Sequence, residues 1–194
     1  MRTDLDRWIK EDGMTFFREI GLKCGQSVLD FGCGEGHYTI PASKVVGIKG
    51  KVFALDKNEK VLDSSKISVK NANLKNVKII NGDSRIPLKD NSIDAALCYD
   101  VIHCEKREER KKIYNEIYRV LREKGIFSVY PKHYRGDDPI MELADVTLTS
   151  IIDSIEDSDF FLDSRISKRL IHDGHFNEGF VLNFRKGGYN AMDR

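Results

Sequence analysis

Apolar residues along this chain fall into short dense runs separated by longer stretches of helical spacing. Val28-Leu29-Asp30-Phe31, Lys51-Val52-Phe53-Ala54-Leu55-Asp56, Val77-Lys78-Ile79-Ile80, Ile93 to Asp100 and Ile126 to Tyr130 are short and mostly apolar, the pattern of strands covered on both faces. Between them the spacing predicts helices. One reaches from just after Gly36 to about Val46, with Thr39 as its expected cap and Pro41 tolerated in its first turn. A second is capped by Asn58 and carries Val61, Leu62, Ser65, Val69 and Ala72 on one face. A third runs from Lys106 to Glu123, with Ile113, Ile117, Val120 and Leu121 aligned and Gly125 stopping it. Strand and helix alternate five times with short connections, which implies an α/β fold with a parallel sheet and helices on both faces. Outside that alternation, an N-terminal helix is expected around Trp8 to Ile20 and another from Asp138 to Ile155. Phe160 to Asp163 and Phe180 to Phe184 read as strands separated by a mixed, turn-containing segment.

Ligands of such sheets bind at the carboxyl ends of the strands, where this chain concentrates its polar chemistry. The first strand ends in Asp30-Phe31-Gly32-Cys33-Gly34-Glu35-Gly36, an acid followed by three glycines at alternate positions. Glycines permit positive φ and leave no Cβ between backbone and ligand, so a nucleotide-like molecule is expected to lie against main-chain N–H groups. A dinucleotide fingerprint begun at Gly32 needs glycine where His37 stands, and begun at Gly34 needs it at Thr39. Asp56 ends the second strand 20 residues beyond Gly36, the separation at which a carboxylate meets a ribose diol. Asn81-Gly82-Asp83-Ser84 and Tyr99-Asp100 end the third and fourth strands.

Taken in order, Asp30 to Gly36, Asp56, Asp83 with Ser84, and Asp94 to Asp100 resemble the motifs of class I S-adenosylmethionine-dependent methyltransferases. The likeness is to the small-molecule kind that includes quinone-biosynthesis and metalloid methyltransferases, and it covers about Phe17 to Tyr130. The junction Tyr118 to Ile126 is also similar, with Glu123-Lys124 replacing the family's commoner Lys-Pro pair. The resemblance implies a Rossmann-like, doubly wound, mostly parallel seven-stranded sheet closed by an antiparallel C-terminal hairpin. It implies S-adenosylmethionine as cofactor, with Asp30, Phe31, Gly32, Gly34 and Gly36 at its methionine end, Asp56 at the ribose, Asp83 and Ser84 at the adenine, and Lys57 and Tyr99 also among the cofactor-binding residues. The expected reaction is in-line displacement at the sulfonium methyl group, dominated by positioning. Asp100 and His103 are the first candidates for a base. Residues 1–194 are expected to form one domain, with 1–20 as a helical cap, 131–158 as an acceptor-side lid and 187–194 as a frayed tail.

Composition narrows the partners. A net charge of +1 leaves little drive for nucleic-acid binding, and the basic residues from Lys106 to Lys112 alternate with Glu108 and Glu109 as on a solvated helix face. No Asn/Asp-Pro-Pro-Tyr/Phe motif follows the fourth strand. The apolar runs are too short to span a bilayer and the first residues lack a hydrophobic signal region, so a cytoplasmic address is expected. Cys24, Cys33, Cys98 and Cys104 show no C-x-x-C pairing and are expected as reduced thiols. Cys98 and Cys104 would suit a thiophilic metalloid, with strand burial the favoured account of Cys98. His133, His172 and His175 would converge on a metal only if the last two shared a helical face. They stand in sequence that reads as strand or loop, so no metal site is expected. A noncatalytic cofactor-binding partner and a nicotinamide oxidoreductase are the alternatives to the methyltransferase reading.

Overall fold

In the computed structural model, which describes residues 2–102, 106–137 and 146–187, seven strands form one sheet in the order β3-β2-β1-β4-β5-β7-β6. β1 (Ser27–Phe31) pairs in parallel with β2 (Lys51–Asp56) on one side and β4 (Ile93–Tyr99) on the other. β3 (Val77–Asn81) extends the β2 edge and β5 (Leu121–Tyr130) lies beside β4, both parallel. β7 (His175–Lys186) runs antiparallel between β5 and β6 (Phe160–His172). The expected sheet, with its closing hairpin, is the one observed.

The strand pleat sorts side chains into two cores. Leu29, Phe31, Ala96, Cys98, Phe127 and Val129 point to one face and pack against α5 (Arg107–Val120) and α6 (Leu148–Glu156) through residues such as Ile113, Ile117, Ile151 and Ile155. Val28, Ala95, Leu97, Tyr99, Ile126 and Tyr130 point to the other, where Tyr38 and Val46 of the segment around α3 (Thr39–Val46) meet Trp8, Phe16 and Phe17. The N-terminal segment supplies those aromatics as α1 (Asp4–Arg7), a π-helical turn over Trp8–Asp12, and α2 (Gly13–Glu19). Trp8 is 1% exposed, and its indole N–H donates to the His37 carbonyl at 3.0 Å, which anchors this segment beside the glycine turn.

Several local expectations change. Tyr38 occupies the N-cap position of α3 without a side-chain capping bond, and Thr39, expected there, is the first helical residue and donates its hydroxyl to the Asp30 carboxylate. α4 (Glu59–Asn71) starts as expected, the Asn58 side chain accepting from the N–H groups of Lys60 and Val61. α5 stops at Val120, and β5 begins at Leu121, which pairs with Ile93 before the register shifts to Ala95–Ile126. Gly125 therefore closes a bulge inside the strand: a Cβ there would sit 2.7 Å from Leu121 Cδ2 and 2.8 Å from the Arg122 carbonyl oxygen. The mixed segment expected between the last two strands is strand throughout, a 13-residue and a 12-residue partner joined at Asp173-Gly174. Of the helix expected from Asp138 to Ile155, only its end falls among the described residues, as α6. Residues 188–194 of the expected tail lie outside them. No helix among the described residues is long and apolar enough to cross a membrane.

Candidate functional site

β1 is buried along almost its whole length and delivers Asp30 and Phe31 to a turn in which Gly32, Gly34 and Gly36 hold φ of 73°, 53° and 90°. Their environments differ. A Cβ on Gly32 would lie 2.3 Å from Val101 Cγ2, and one on Gly36 3.2 Å from Ser65 Oγ, whereas one on Gly34 would meet nothing within 4 Å. Gly32 and Gly36 are thus held close by the protein, and Gly34 faces open space.

The N–H groups of this turn are spent on the protein itself. Gly32 and Cys33 donate to the Leu55 carbonyl at 2.8 and 3.0 Å, Gly36 donates to the Cys33 carbonyl at 2.9 Å, and Gly34 donates to Asp56 Oδ2 at 3.0 Å. These glycines supply room and shape, while the donors of Gly32 and Gly34 stitch the turn to β2 and that of Gly36 closes the turn on itself. A pyrophosphate would need such donors; a cofactor without phosphate does not.

A cleft of about 720 Å³ opens over this turn at the carboxyl ends of the strands. Phe31, Gly32, Gly34, Asp56, Lys57, Asp83 and Tyr99 of the expected cofactor residues line it, whereas Asp30, Gly36 and Ser84 are not part of its wall. Asp56 accepts from Gly34 N–H on one oxygen and from Asn58 N–H at 2.9 Å on the other, which fixes its plane and leaves lone pairs for a ligand. Asp83 turns one oxygen back to its neighbour's amide, Ser84 N–H, at 2.8 Å. Tyr99 presents its ring only. Its hydroxyl donates to Ser128 Oγ at 2.7 Å, which in turn donates to Asn183 Oδ1 at 2.6 Å, deep in the sheet.

Asp30 is 2% exposed and accepts from Thr39 Oγ1 at 2.5 Å. Burial pushes its carboxyl up to about 7; the Thr39 hydrogen bond opposes the rise and the nearby charge of Asp56 adds to it. Its role is to join β1 to α3 behind the cleft. Burial likewise pushes the thiols of Cys33 and Cys98 up, so neither is a thiolate, and Cys98 sits in the strand core.

The far end of the cleft is built from later sequence. Asp100 ends β4 in the left-handed region at φ 60°, and His172 ends β6 with its Nδ1 2.6 Å from Asp100 Oδ2. His133 follows β5, also at φ 60°, with its ring centre 4.9 Å from that of His172. The hairpin tip carries His172 into the cleft wall. Asp173 and Gly174 have φ of 49° and 79°, the two positive angles of a tight two-residue turn, and His172 pairs with His175 across it. Tyr38 fastens the tip to the glycine-turn side through its hydroxyl, which donates to the Ile171 carbonyl at 2.6 Å. Leu5, Ile171, His172 and Gly174 all line the cleft without having been expected there. An Asp-Gly pair flanked by two strand-compatible runs was the available signal for them. His175 is exposed and stands apart from the His133–His172 pair. His103 and Cys104 lie outside the described residues.

Comparison with known proteins places this geometry. A family model described as a methyltransferase domain matches residues 22–163. A demethylmenaquinone methyltransferase from Staphylococcus aureus (strain MRSA252) is 40% identical over 78 residues, which are 40% of this chain, and the chain spans 32% of that curated relative's length. Among solved structures, a SAM dependent methyltransferase from Aquifex aeolicus superposes with a TM-score of 0.75 at 28% identity, over 91% of this chain and 92% of that one. A SAM-dependent methyltransferase from Methanosarcina mazei, 19% identical with a TM-score of 0.69 over 88% of this chain and 96% of its own, shares the fold. With the glycine turn, an acid at the end of β2 and the 3-2-1-4-5-7-6 sheet on one framework, the chain belongs to the methyltransferase-domain family, of the class I S-adenosylmethionine-dependent kind.

Proposed function

We propose that this chain binds S-adenosylmethionine in the cleft over the glycine turn and catalyses transfer of its methyl group to a small-molecule acceptor. The observation that carries the reading is Gly34, which has open space where a side chain would stand, directly beside an Asp56 carboxylate oriented by two backbone amides. Bound S-adenosylmethionine supplies an electrophilic methyl group on positively charged sulfur. The chain's own contribution is then to hold the two reactants in line and exclude water.

Asp56 is assigned to the ribose hydroxyls, with Lys57 beside it, and Asp83 with Ser84 to the adenine edge. Phe31, Leu55 and Val61 supply apolar wall along the same stretch. Asp100 and His172 border the acceptor end, with Tyr38 and Ile171 closing its side. Residues 1–194 act as one domain in this reading, with the N-terminal helices as cap and 131–158 as the acceptor-side lid. Catalytic roles are assigned to Asp100 and, on its sequence position after β4, His103.

Calorimetric titration with S-adenosylmethionine tests the cofactor half. Asp56→Ala should weaken binding by about 1.5 to 3 kcal/mol, the scale of hydrogen bonds to a charged acceptor, while adenine alone binds both proteins equally. Equal affinity for the full cofactor would remove Asp56 from the ribose. Formation of S-adenosylhomocysteine should then be followed across quinols, thiols, amines and metalloids, starting with demethylmenaquinol because of the relative above. Tight cofactor binding with no turnover on any acceptor class would favour the noncatalytic alternative.

A further inference from the structure

Asp100, His133 and His172 come from three separate elements: the end of β4, the segment after β5 and the end of β6. Each can offer one ligand atom such that all three atoms lie within 4.8 Å of one another. Two imidazoles and one carboxylate form a donor set suited to divalent first-row transition metals rather than to magnesium or calcium, which take oxygen, or to thiophilic ions, which take sulfur. We propose that these three residues hold a divalent metal ion of that class at the acceptor end of the cleft.

Four features of the arrangement support a built site. First, the residues are enclosed but not sealed: His133 and His172 are 6% and 8% exposed, while Asp100 and His172 form part of the cleft wall. Second, convergence is imposed by the backbone. Asp100 and His133 both adopt φ of 60°, an uncommon conformation for residues with a side chain, and each sits where a strand ends and the chain must turn its side chain across the sheet's carboxyl edge. Third, the distances span the range a metal needs. His172 Nδ1 lies 2.6 Å from Asp100 Oδ2 and His133 Nε2 lies 4.0 Å from Asp100 Oδ1. Ligand atoms about 2.0 to 2.2 Å from one ion stand roughly 3 to 3.5 Å apart, and one donor atom from each residue already lies within 4.8 Å of the other two, so entry of the ion opens the hydrogen-bonded contact and draws the wider ones in by less than about 2 Å.

Fourth, the surroundings orient the ligands. The other ring nitrogen of His172, Nε2, lies 3.6 Å from the exposed Asp173 carboxylate, close enough for a water-bridged or tightened contact when the site is filled. The loop carrying His133 is pinned by a buried ion pair. Lys132 Nζ lies 2.8 Å from Asp137 Oδ2, and that same oxygen accepts from His133 N–H at 2.7 Å. In sequence, His172 and His175 stand three residues apart and would meet on one ion only on a helical face. The fold pairs His172 with His133, 39 residues away in the chain and across the sheet's end.

Three protein ligands would leave at least one coordination position open, and two of the three, Asp100 and His172, stand in the cleft wall. An acceptor carrying a hydroxyl would bind the ion through its oxygen, and the O–H proton would leave to solvent as the oxygen becomes a metal-bound anion. This role for the ion rests on the methyltransferase reading above; the presence of the ion does not.

The test uses the full chain prepared without a polyhistidine tag and stripped with chelator. Titration with Co²⁺ should saturate at one equivalent and produce visible d–d absorption, which Zn²⁺ then abolishes by displacement. His133→Ala and Asp100→Asn should each weaken Co²⁺ binding at least tenfold. S-adenosylmethionine affinity of His133→Ala, which does not line the cofactor cleft, should stay within threefold of wild type and so report that the variant is folded. If a variant fails to fold, the stoichiometry, spectrum and Zn²⁺ displacement of the wild type decide alone. Absence of saturable binding, or binding that persists in a folded His133→Ala, would overturn the site and return His172 and Asp100 to a hydrogen-bonded pair. Cofactor affinity is measured separately, so failure of the metal site leaves the cofactor assignment standing, and failure of cofactor binding leaves the metal result standing.

Discussion

Replacing Asp30 by Asn isolates the cost of burying one carboxyl under the glycine turn. The Asp30 side chain is 2% exposed, and its carboxyl is pushed up to about 7 from an ordinary value of 3.8. Between those two values the unfolded chain has released this proton and the folded chain still holds it. Unfolding therefore releases a proton in that window, and stability falls as pH rises through it, by about 1.4 kcal/mol per unit. Over the whole interval the loss is about 4 kcal/mol; below pH 4 and above pH 7 this group contributes no slope. Asn keeps the shape and can still accept from Thr39, yet has nothing to titrate. We expect urea midpoints of wild type and Asp30→Asn to diverge steadily from pH 5 to pH 7 in favour of the variant, then to run parallel to pH 8. Every other titrating group contributes to both proteins and cancels in the difference. A difference that is constant across pH 5 to 8 would refute the argument, since it would mean that Asp30 ionises in the fold as it does in the unfolded chain.

Two further expectations concern the glycine turn and the buried ion pair. Gly34→Val should abolish S-adenosylmethionine binding in a calorimetric titration while costing only about 1 to 3 kcal/mol of stability, because φ is 53° there but no atom lies within 4 Å of the new Cβ; unchanged affinity would move the cofactor elsewhere. Lys132→Met should cost about 3 to 5 kcal/mol in urea unfolding by stranding Asp137, both side chains being almost fully buried, and Lys132→Met/Asp137→Leu should recover much of it; a double variant no more stable than the single would show that the pair is not energetically coupled.

The cofactor side of the fold was legible because its signals are local. A strand, a glycine turn and an acid at the next strand's end are each written within a few consecutive residues, and their spacing carries over to space because parallel neighbours β1 and β2 end together at Phe31 and Leu55. What those signals could not show is where backbone donors go: only the register of β1 on β2 reveals that Leu55 and Asp56 take the N–H groups of Gly32, Cys33 and Gly34. The acceptor side was less legible because it is assembled across long sequence distances. His172 meets Asp100 over 72 residues, and Tyr38 meets Ile171 over 133. The long hairpin was also obscured by its own composition, since polar residues at alternate positions such as Asp163, Arg165 and Ser167 leave one face exposed and dilute the apolar signal that marks a strand. Leu121 was read as helical because it continues the stripe of Ile113, Ile117 and Val120, and only the pairing with Ile93 makes it the first residue of β5.

The order in which the last three strands lie has a consequence for how the chain is made. β5 and β6 emerge from the ribosome before β7, yet β7 is the strand that must sit between them. Until residues 175–186 are available, the outer edge of β5 has no partner, and Phe127 and Phe184, which belong to one core, cannot meet. A nascent chain halted near His172 thus carries an open apolar sheet edge together with a long unpaired strand of its own, a combination that favours pairing with another molecule over waiting. Completion of the β6–β7 hairpin, rather than anything in the cofactor cleft, is then the step that closes the open edge of the sheet.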